Sequence, residues 1–492
     1  MKGIFLILII VSCLQSCKDY LNLIPKGEKI VSNVDDVRSE LLSFWVSHTY
    51  SSLPIPSFGQ ASVSLPLYND VNAHWAMYED NLDMLHFNEH SDINSSVMDY
   101  YYENVNWKGI ELATSLWRDC YSTIGLMNTV IDDLASVVYT QAEFETIDGE
   151  ARVVRAFCIF KLMQYFAPYH DVELGIPLNL DSENVTPGGR RSQIEIYDIL
   201  ERELLKVLAY TTAKEKWNFF YSPDFIKSLL TELYMFRAGS AAAKTTDWEL
   251  AEKYSAEVIE NYVPQSRSEL LTELFSAEDV EYNTEHEYCA LKLATKRFCS
   301  IGQQVCGIWG MNNAQRPNLE LLKLYTADDI RFHAWFNQVE NEGKIVTYVS
   351  KPKITSVWQV VCDILVLYRK ADIYLMNLEA KWHLGKKEEA IKMLETFRKA
   401  RIQNYSTPIQ DDVLSEILLE RRRELCFENG SRWLDMKRYG ISVNRIGYSK
   451  ENKGTQTYSL ESDDYRYALP IPLDIELNYN NIEQNPEWTD FN

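Results

Sequence analysis

The chain has 492 residues, of which 46% are hydrophobic and 12% aromatic, a composition that supports a large folded core in one big domain or two to three ordinary ones. Its 71 acidic residues outnumber its 49 basic residues, which gives a formal net charge of −22. Because binding a phosphate backbone needs a positive surface that releases counterions, this balance argues against nucleic acid as a partner.

The amino-terminal segment has the pattern of a removable signal. One lysine precedes an apolar run from Ile4 to Val11, which is too short to cross a bilayer as a helix. The sequence LQSC, ending at Cys17, resembles the lipobox of bacterial lipoproteins. We therefore predict that residues 1–16 are a lipoprotein signal peptide and that Cys17 is acylated, since two acyl chains anchor a protein stably. Two alternatives are acylation at Cys13 and a plain secretory signal.

Two long segments, from Ser52 to Asn106 and from Pro264 to Thr355, are rich in Tyr, Trp, Asn, Gly and Pro. We predict that both are irregular and functional, as long loops on a helical scaffold usually are. The first contains HFNEH, from His86 to His90, which fits the H-x-x-E-H pattern of inverted zinc proteases. That mechanism needs a helix and a third ligand, whereas the surrounding sequence is rich in Asn, Asp and Ser. Two surface histidines are the alternative that we favour, and we predict no metal and no catalytic residue.

Apolar residues recur at helical spacing between Leu112 and Tyr169, first around Trp117 and Ile124 and then from Ile147 onward. This pattern predicts a helical hairpin. Proline cannot continue a helix, so Pro168 is expected to end it.

A pair of later segments shows one repeating pattern. From Ala380 to Ala400, Leu384 and Gly385 occupy a turn, and Ala390 begins an apolar helical stripe, which resembles the tetratricopeptide pattern of small residues where paired helices touch. The segment DWELAEKYSAEVIEN, which begins at Asp247, is a second copy. We predict tetratricopeptide-like helix pairs.

The stretch ERRRELCFENGSRWLDMKR, from Glu420 to Arg438, is unusually basic for this chain. On a helix, charges three or four residues apart pair with each other. The predicted pairs are Arg421 with Glu424, Glu428 with Arg432, and Asp435 with Arg438, while Trp433 belongs to the apolar side and Asn429-Gly430 permits a bend. We interpret these residues as a structural signature and not as a ligand site.

Seven cysteines follow the signal region, an odd number without a C-x-x-C spacing, so neither a disulfide framework nor a zinc ribbon is indicated. They are Cys120, Cys158, Cys289, Cys299, Cys306, Cys362 and Cys426. We predict mostly buried thiols, and whether Cys299 pairs with Cys306 stays open.

The same basic stretch, with the glycine that follows it, ERRRELCFENGSRWLDMKRYG, resembles the signature of the SusD/RagB family of outer-membrane nutrient-binding lipoproteins. Further stretches resemble the family in its own order: CKDYLNLIPKG, GEARVVRAFCIFKLMQYFAPYHDVELGIPL, RPNLELLKLYTADDIR, LYRKADIYLMNLEAKWHLG and YALPIPLDIELNYNNIEQNPEW. Two departures are Asn429, inserted before the signature glycine, and Glu487, which replaces a common glycine.

The resemblance implies a mostly α fold, with about four tetratricopeptide-like helix pairs and long irregular loops, that binds oligosaccharide without catalysis or a cofactor. It also implies a place on the outside of the outer membrane, attached only by lipid, with a SusC-like TonB-dependent transporter barrel as partner. Residues 17–262 and 263–492 would be two regions packed as one unit.

Sugar rings stack on flat aromatic faces, and amides and carboxylates bond their hydroxyls. The irregular segments carry such groups, and we predict a ligand-binding set of Trp75, Tyr78, Asp80, Trp309, Asn312 and Asn313. A peptide ligand on the same fold is the alternative within the binding class. A secreted zinc hydrolase that uses His86, Glu89 and His90 is the less favoured enzyme alternative, and a scaffold without a small ligand is the structural one.

Overall fold

The computed structural model describes residues 31–48, 75–85, 104–182, 188–274, 288–294, 316–341, 343–351, 364–409, 412–449, 451–472 and 480–488. Helices dominate these residues, which confirms the predicted mostly α fold. The first six helices are α1 (Val34–His48), α2 (Ile110–Ser136), α3 (Gln141–Phe166), α4 (Gln193–Leu208), α5 (Pro223–Ala238) and α6 (Asp247–Val258).

The predicted hairpin is confirmed as α2 and α3, which pack against each other. Thr140 starts α3 with a reciprocal capping box, in which its side chain accepts from the Glu143 amide and the Glu143 carboxylate accepts from the Thr140 amide, so two otherwise unpaired helix donors are satisfied. Most of α3 is buried on every side. This helix is therefore the element against which α1, α2, α4 and α5 pack.

The remaining helices are α7 (Ser268–Glu273), α8 (Leu319–Leu322), α9 (Ile330–Trp335), α10 (Lys370–His383), α11 (Lys387–Arg401), α12 (Val413–Leu425) and α13 (Ser431–Tyr439). The repeat segments form the predicted pairs. Helix α6 pairs with α5, α10 pairs with α11, and α6 also packs on α10. The Asn377 amide donates to the Ser255 hydroxyl at 2.9 Å and thus joins the two copies.

Among the described residues, three antiparallel two-stranded sheets accompany the helices. Their strands are β1 (Tyr288–Ala294), β2 (Phe336–Asn341), β3 (Lys344–Val349), β4 (Ile364–Arg369), β5 (Val443–Ser449) and β6 (Gly454–Leu460), paired as β1 with β4, β2 with β3, and β5 with β6.

The described parts of the second predicted irregular segment contain α7, β1, α8, α9 and the β2–β3 hairpin. The expectation of an irregular chain from Pro264 to Thr355 is therefore wrong over these parts. The β3 sequence KIVTYV is rich in β-branched and aromatic residues, which favour strands, and Gly343 supplies the left-handed turn at φ 78°.

The carboxyl-terminal residues return to the centre of the fold. The Leu469 amide donates to the Tyr165 carbonyl at 2.8 Å, and the Asn485 side chain donates to the carbonyls of Phe166 and Leu469. The end of α3 is thus held by residues some 300 positions away. Within the described ranges, no helix combines the length and apolarity that a membrane span needs.

Candidate functional site

The predicted structural signature forms two helices, α12 and α13, separated by a tight turn. Phe427, Asn429 and Gly430 in this turn have positive φ angles of 63°, 49° and 67°, so the predicted bend at Asn429-Gly430 is confirmed. A Cβ atom at Gly430 would lie 2.9 Å from the Trp75 ring. Glycine is therefore required here both for its backbone conformation and for the close approach of an indole.

Glu424 is the centre of a buried ionic cluster. Its carboxylate lies 3.1 Å from Arg331, 3.0 Å from Arg369 and 3.0 Å from Arg401, and all four side chains are at most 1% exposed. Burial opposes ionisation of Glu424, but the three guanidinium groups outweigh it and hold its pKa well below the ordinary value. One carboxylate thus joins α12 to α9, to α11 and to Arg369 at the end of β4.

The predicted local pairs are only partly right. Asp435 contacts Arg438 at 3.1 Å, as expected. Glu424 instead pairs with distant arginines, and Glu428 pairs with Arg369 at 2.8 Å and with Lys351. The pattern of i to i+4 charges could not reveal these partners, because they come from elements far away in the chain.

Arg421 and Arg438 face a second group of carboxylates. Arg421 donates to Asp435 at 2.9 Å and lies 3.3 Å from Asp372, while Arg438 pairs with Glu379. These contacts tie α12 and α13 to α10. The burial of these paired side chains supports the structural interpretation of the signature.

Two arginines of the signature hold the described part of the first long segment, residues 75–85. Arg432 makes a bidentate pair with Asp80, with both distances at 2.8 Å. Arg422 donates to the Asp80 carbonyl at 2.8 Å and to the Asn81 side chain at 2.9 Å. Burial disfavours the Asp80 charge, but Arg432 outweighs it and lowers the pKa of that carboxyl.

The two long segments meet at this point. Leu82 forms an antiparallel bridge with Pro317, and the Asn318 amide donates to the Asn81 carbonyl at 2.7 Å. We call residues 80–83 and 316–318 the paired stem. The paired stem is close in sequence to the predicted ligand residues of both segments. It includes Asp80 of the first segment, and Asn313 of the second segment is three residues before Arg316.

Two of the three predicted ligand residues of the first segment lie in the core, and the third, Asp80, is partly buried. The side chains of Trp75 and Tyr78 are 1% and 0% exposed. Trp75 stacks on Tyr165 with ring centres 4.2 Å apart and also faces Trp433. Neither ring offers a face to a sugar in this arrangement, and Asp80 is occupied by arginines, so we assign all three to packing and to holding the stem.

The other predicted site residues lie outside the described ranges. They are Trp309, Asn312, Asn313, Cys17, Cys299, Cys306 and the histidine motif from His86 to His90. Cys120, Cys158 and Cys426 are buried free thiols, as predicted. Across the part of the chain that the structure describes, no group of three or more metal-ligating side chains occurs.

A surface cavity of about 260 Å³ lies at a different place, between the turn after α3 and the turn after β6. Its lining includes Tyr169, His170, Lys437, Asp463 and Tyr465. We call it the turn cavity. Sequence reasoning missed it because its residues are more than 260 positions apart and none belongs to a recognisable motif; the only local signal was the polar and aromatic composition of each turn.

Sequence profiles relate the chain to known proteins over two stretches. The profile of the SusD family matches residues 343–488, and a SusD-like profile described as "Starch-binding associating with outer membrane" matches residues 61–209. The chain belongs to the SusD/RagB family. Among curated proteins, none matches it significantly.

Solved structures share the fold across nearly the whole chain. A SusD superfamily protein from Bacteroides vulgatus has a TM-score of 0.71 at 20% identity, covering 93% of this chain and all of that one. A SusD superfamily protein from Bacteroides thetaiotaomicron has a TM-score of 0.67 at 20% identity, with 92% of this chain and all of that one covered. A SusD-like carbohydrate-binding protein from Bacteroides vulgatus has a TM-score of 0.65 at 18% identity, covering 92% and 97%.

Proposed function

We propose that this protein binds an oligosaccharide at the cell surface and delivers it to a TonB-dependent transporter of the outer membrane. The observation that carries the proposal is the match of residues 61–209 to a family described as starch-binding and associated with the outer membrane. The SusD-like carbohydrate-binding protein with the same fold supports it further. In this proposal the protein is a binding protein and performs no catalysis.

The ligand is proposed to bind to the residues that continue from the paired stem. Arg422 and Arg432 hold Asp80 and Asn81, and the stem joins the two long segments by backbone hydrogen bonds. A binding surface gains affinity when its supporting residues are rigid beforehand. Trp309, Asn312 and Asn313 are therefore our proposed ligand contacts, with an indole for stacking and amides for hydroxyls.

Calorimetric titration of the purified full chain tests the ligand class. The probes are maltoheptaose, an acidic oligosaccharide and a mixed peptide library. We expect saturable binding of a glycan and a loss of roughly tenfold in affinity for Trp309→Ala, which corresponds to about 1.4 kcal/mol. Trp217→Ala is the matched control, because its indole is held by Glu215 at 2.8 Å on a different part of the chain. Binding of peptides alone would establish the peptide alternative.

The anchor is proposed to be Cys17, and metabolic labelling with palmitate tests it. Cys17→Ala should abolish the label and release the protein from the membrane fraction. Stable anchoring needs two membrane-binding signals, and one hydrophobic signal without the acyl chains is not enough. Cys13→Ala is the control and should keep the label. Loss of the label from Cys13→Ala, with the label kept in Cys17→Ala, would place the anchor at Cys13.

Co-purification of a TonB-dependent barrel with the wild-type protein, without crosslinking, tests the proposed partner.

A further inference from the structure

The turn cavity has the size of a small ligand. Its volume is about 260 Å³, somewhat below the roughly 300–1,000 Å³ of pockets for drug-sized ligands. It lies between residues 168–171, the α13 residue Lys437 and residues 463–468. This space admits a ligand of about one sugar ring.

The aromatic walls of the cavity are held in place. The Tyr169 hydroxyl donates to the Phe236 carbonyl at 2.8 Å, and the Tyr467 hydroxyl donates to a backbone carbonyl of the neighbouring turn. Tyr465 remains 36% exposed and is supported at its edge by Trp488, with ring centres 5.1 Å apart. The Arg466 guanidinium lies 5.8 Å from the centre of the Tyr465 ring, so a pyranose ring would stack on the part of Tyr465 that stays exposed at the rim.

Two exposed polar side chains at the rim contact each other. The Asp463 and His170 side chains are 57% and 58% exposed and lie 3.3 Å apart. Asp464, by contrast, is occupied by Arg466 at 2.7 Å. The carboxylate can accept a hydrogen bond from one hydroxyl group of a sugar. The imidazole beside it can donate to, or accept from, the neighbouring hydroxyl group.

Lys437 is a further residue of the cavity lining. Its side-chain nitrogen donates to the carbonyls of Gln164 at 2.7 Å and Ala167 at 2.8 Å and is thereby held at the end of α3. Burial lowers the pKa of Lys437 to about 7, so its positive charge is only partial at neutral pH. Asp171 and Asp463 also line the cavity, and their negative charges disfavour an anionic ligand.

We propose that the turn cavity is a second glycan subsite that holds one neutral pyranose ring, stacked on Tyr465 and bonded to Asp463 and His170. This inference rests on the proposed function, because it assigns a ligand of the same class to a separate place on the protein. The cavity uses none of the predicted ligand residues of the long segments.

Saturation-transfer NMR titrations with maltose and with digalacturonic acid test the proposal on the full chain. We expect maltose to bind and each variant to weaken its binding by roughly tenfold. Tyr465→Ala removes the stacking surface, and Asp463→Asn removes a hydrogen bond to a charged group. Tyr139→Ala is the matched control, because Tyr139 is 39% exposed on a different turn. Asparagine tolerates the left-handed φ of 57° at Asp463, so Asp463→Asn should fold.

The outcomes separate this inference from the proposed function. If maltose binds and neither variant changes its affinity, the subsite is overturned while glycan binding stands. If digalacturonic acid binds through Asp463 and Tyr465 better than maltose does, the neutral-ring assignment is overturned. If no glycan binds the wild-type protein in this titration or in calorimetry, both proposals fail together.

Discussion

At the scale of single residues, Glu79 is a buried carboxyl group beside Asp80 and Asn81. Its side chain is 1% exposed. One oxygen accepts from Asn81 at 2.7 Å, and the other has no hydrogen-bond partner within the described residues. Burial raises the pKa of Glu79 from 4.5 to about 8, with a smaller contribution from the Asp80 charge. The group therefore favours a proton in the folded state.

This shift predicts a dependence of stability on pH. Because the folded protein keeps a proton that the unfolded chain has lost, the contribution of Glu79 is fully present below about pH 4.5 and is lost as the pH rises through about 8. Glu79→Gln keeps the shape without the charge. At pH 9 its free energy of unfolding should exceed that of the wild type by a few kcal/mol, and at pH 4 the two should be nearly equal.

Urea denaturation at both pH values checks this prediction. Glu451→Gln, on an exposed turn, is the control and should behave like the wild type at each pH. An equal difference between Glu79→Gln and the wild type at pH 4 and pH 9 would show that Glu79 is not protonated in the fold.

Glu487 is a second residue whose environment is unusual. It has a φ of 66° on an exposed turn, at the position where the family commonly has glycine. A left-handed backbone destabilises the folded state by roughly 1–2 kcal/mol when the residue has a side chain. Glycine removes this strain, but part of the gain is offset because glycine loses more chain entropy on folding. Glu487→Gly should therefore raise the free energy of unfolding by about 0.5–1 kcal/mol. A lower melting temperature for Glu487→Gly than for the wild type would show that the left-handed backbone at Glu487 is not strained.

At the scale of elements, the turn between α12 and α13 connects the signature to the core. Gly430→Ala should destabilise the protein by about 2 kcal/mol or more, because alanine must adopt a left-handed φ and displace the Trp75 ring. Gly125→Ala is the matched control. It lies inside α2 with no atom within 4 Å of its Cβ position, so alanine should stabilise the helix by about 0.5–1 kcal/mol.

Thermal unfolding followed by circular dichroism measures both glycine variants. Equal melting temperatures for Gly430→Ala and the wild type would show that the turn can relax without cost.

The helical elements could be predicted from the sequence because their evidence is local. The apolar stripe of α2 and α3 and the repeated small residues at Ala251 and Ala390 follow from helical spacing, and both alanines are 0% exposed. The β2–β3 hairpin was missed because composition alone marked its segment as irregular. Strand pairing depends on the partner strand, which a single segment does not contain.

At the scale of the whole molecule, buried charges join distant elements. Glu424 connects three arginines from α9, from the end of β4 and from α11. Removal of one member leaves the others buried without compensation, which costs about 3–5 kcal/mol. Glu424→Gln should therefore lower the free energy of unfolding by about this amount in urea denaturation.

The exposed pair of Lys323 and Glu320 provides the control for that experiment. Its side chains are 59% and 66% exposed, and such pairs contribute about 0–1 kcal/mol. Glu320→Gln should change stability by less than about 1 kcal/mol. Similar losses for both variants would show that the Glu424 cluster does not hold the fold together.

The signature residues were identified from sequence, but apart from the pair of Asp435 and Arg438 their partners were not. Arg432 was expected to pair with Glu428, and it pairs with Asp80, more than 350 positions away. Trp75 was expected to contact the ligand, but its ring packs on Tyr165. A short aromatic segment looks the same in a binding loop and in a core, because the difference is made by residues that arrive from the other end of the chain.

Carbohydrate binding is best tested by calorimetric titration of the purified wild-type chain with neutral oligosaccharides. We expect saturable binding of at least one neutral glycan by protein whose circular dichroism shows the helical fold. A folded, helical protein that binds none of the neutral or acidic glycans, while it binds peptides or no small ligand, would contradict it.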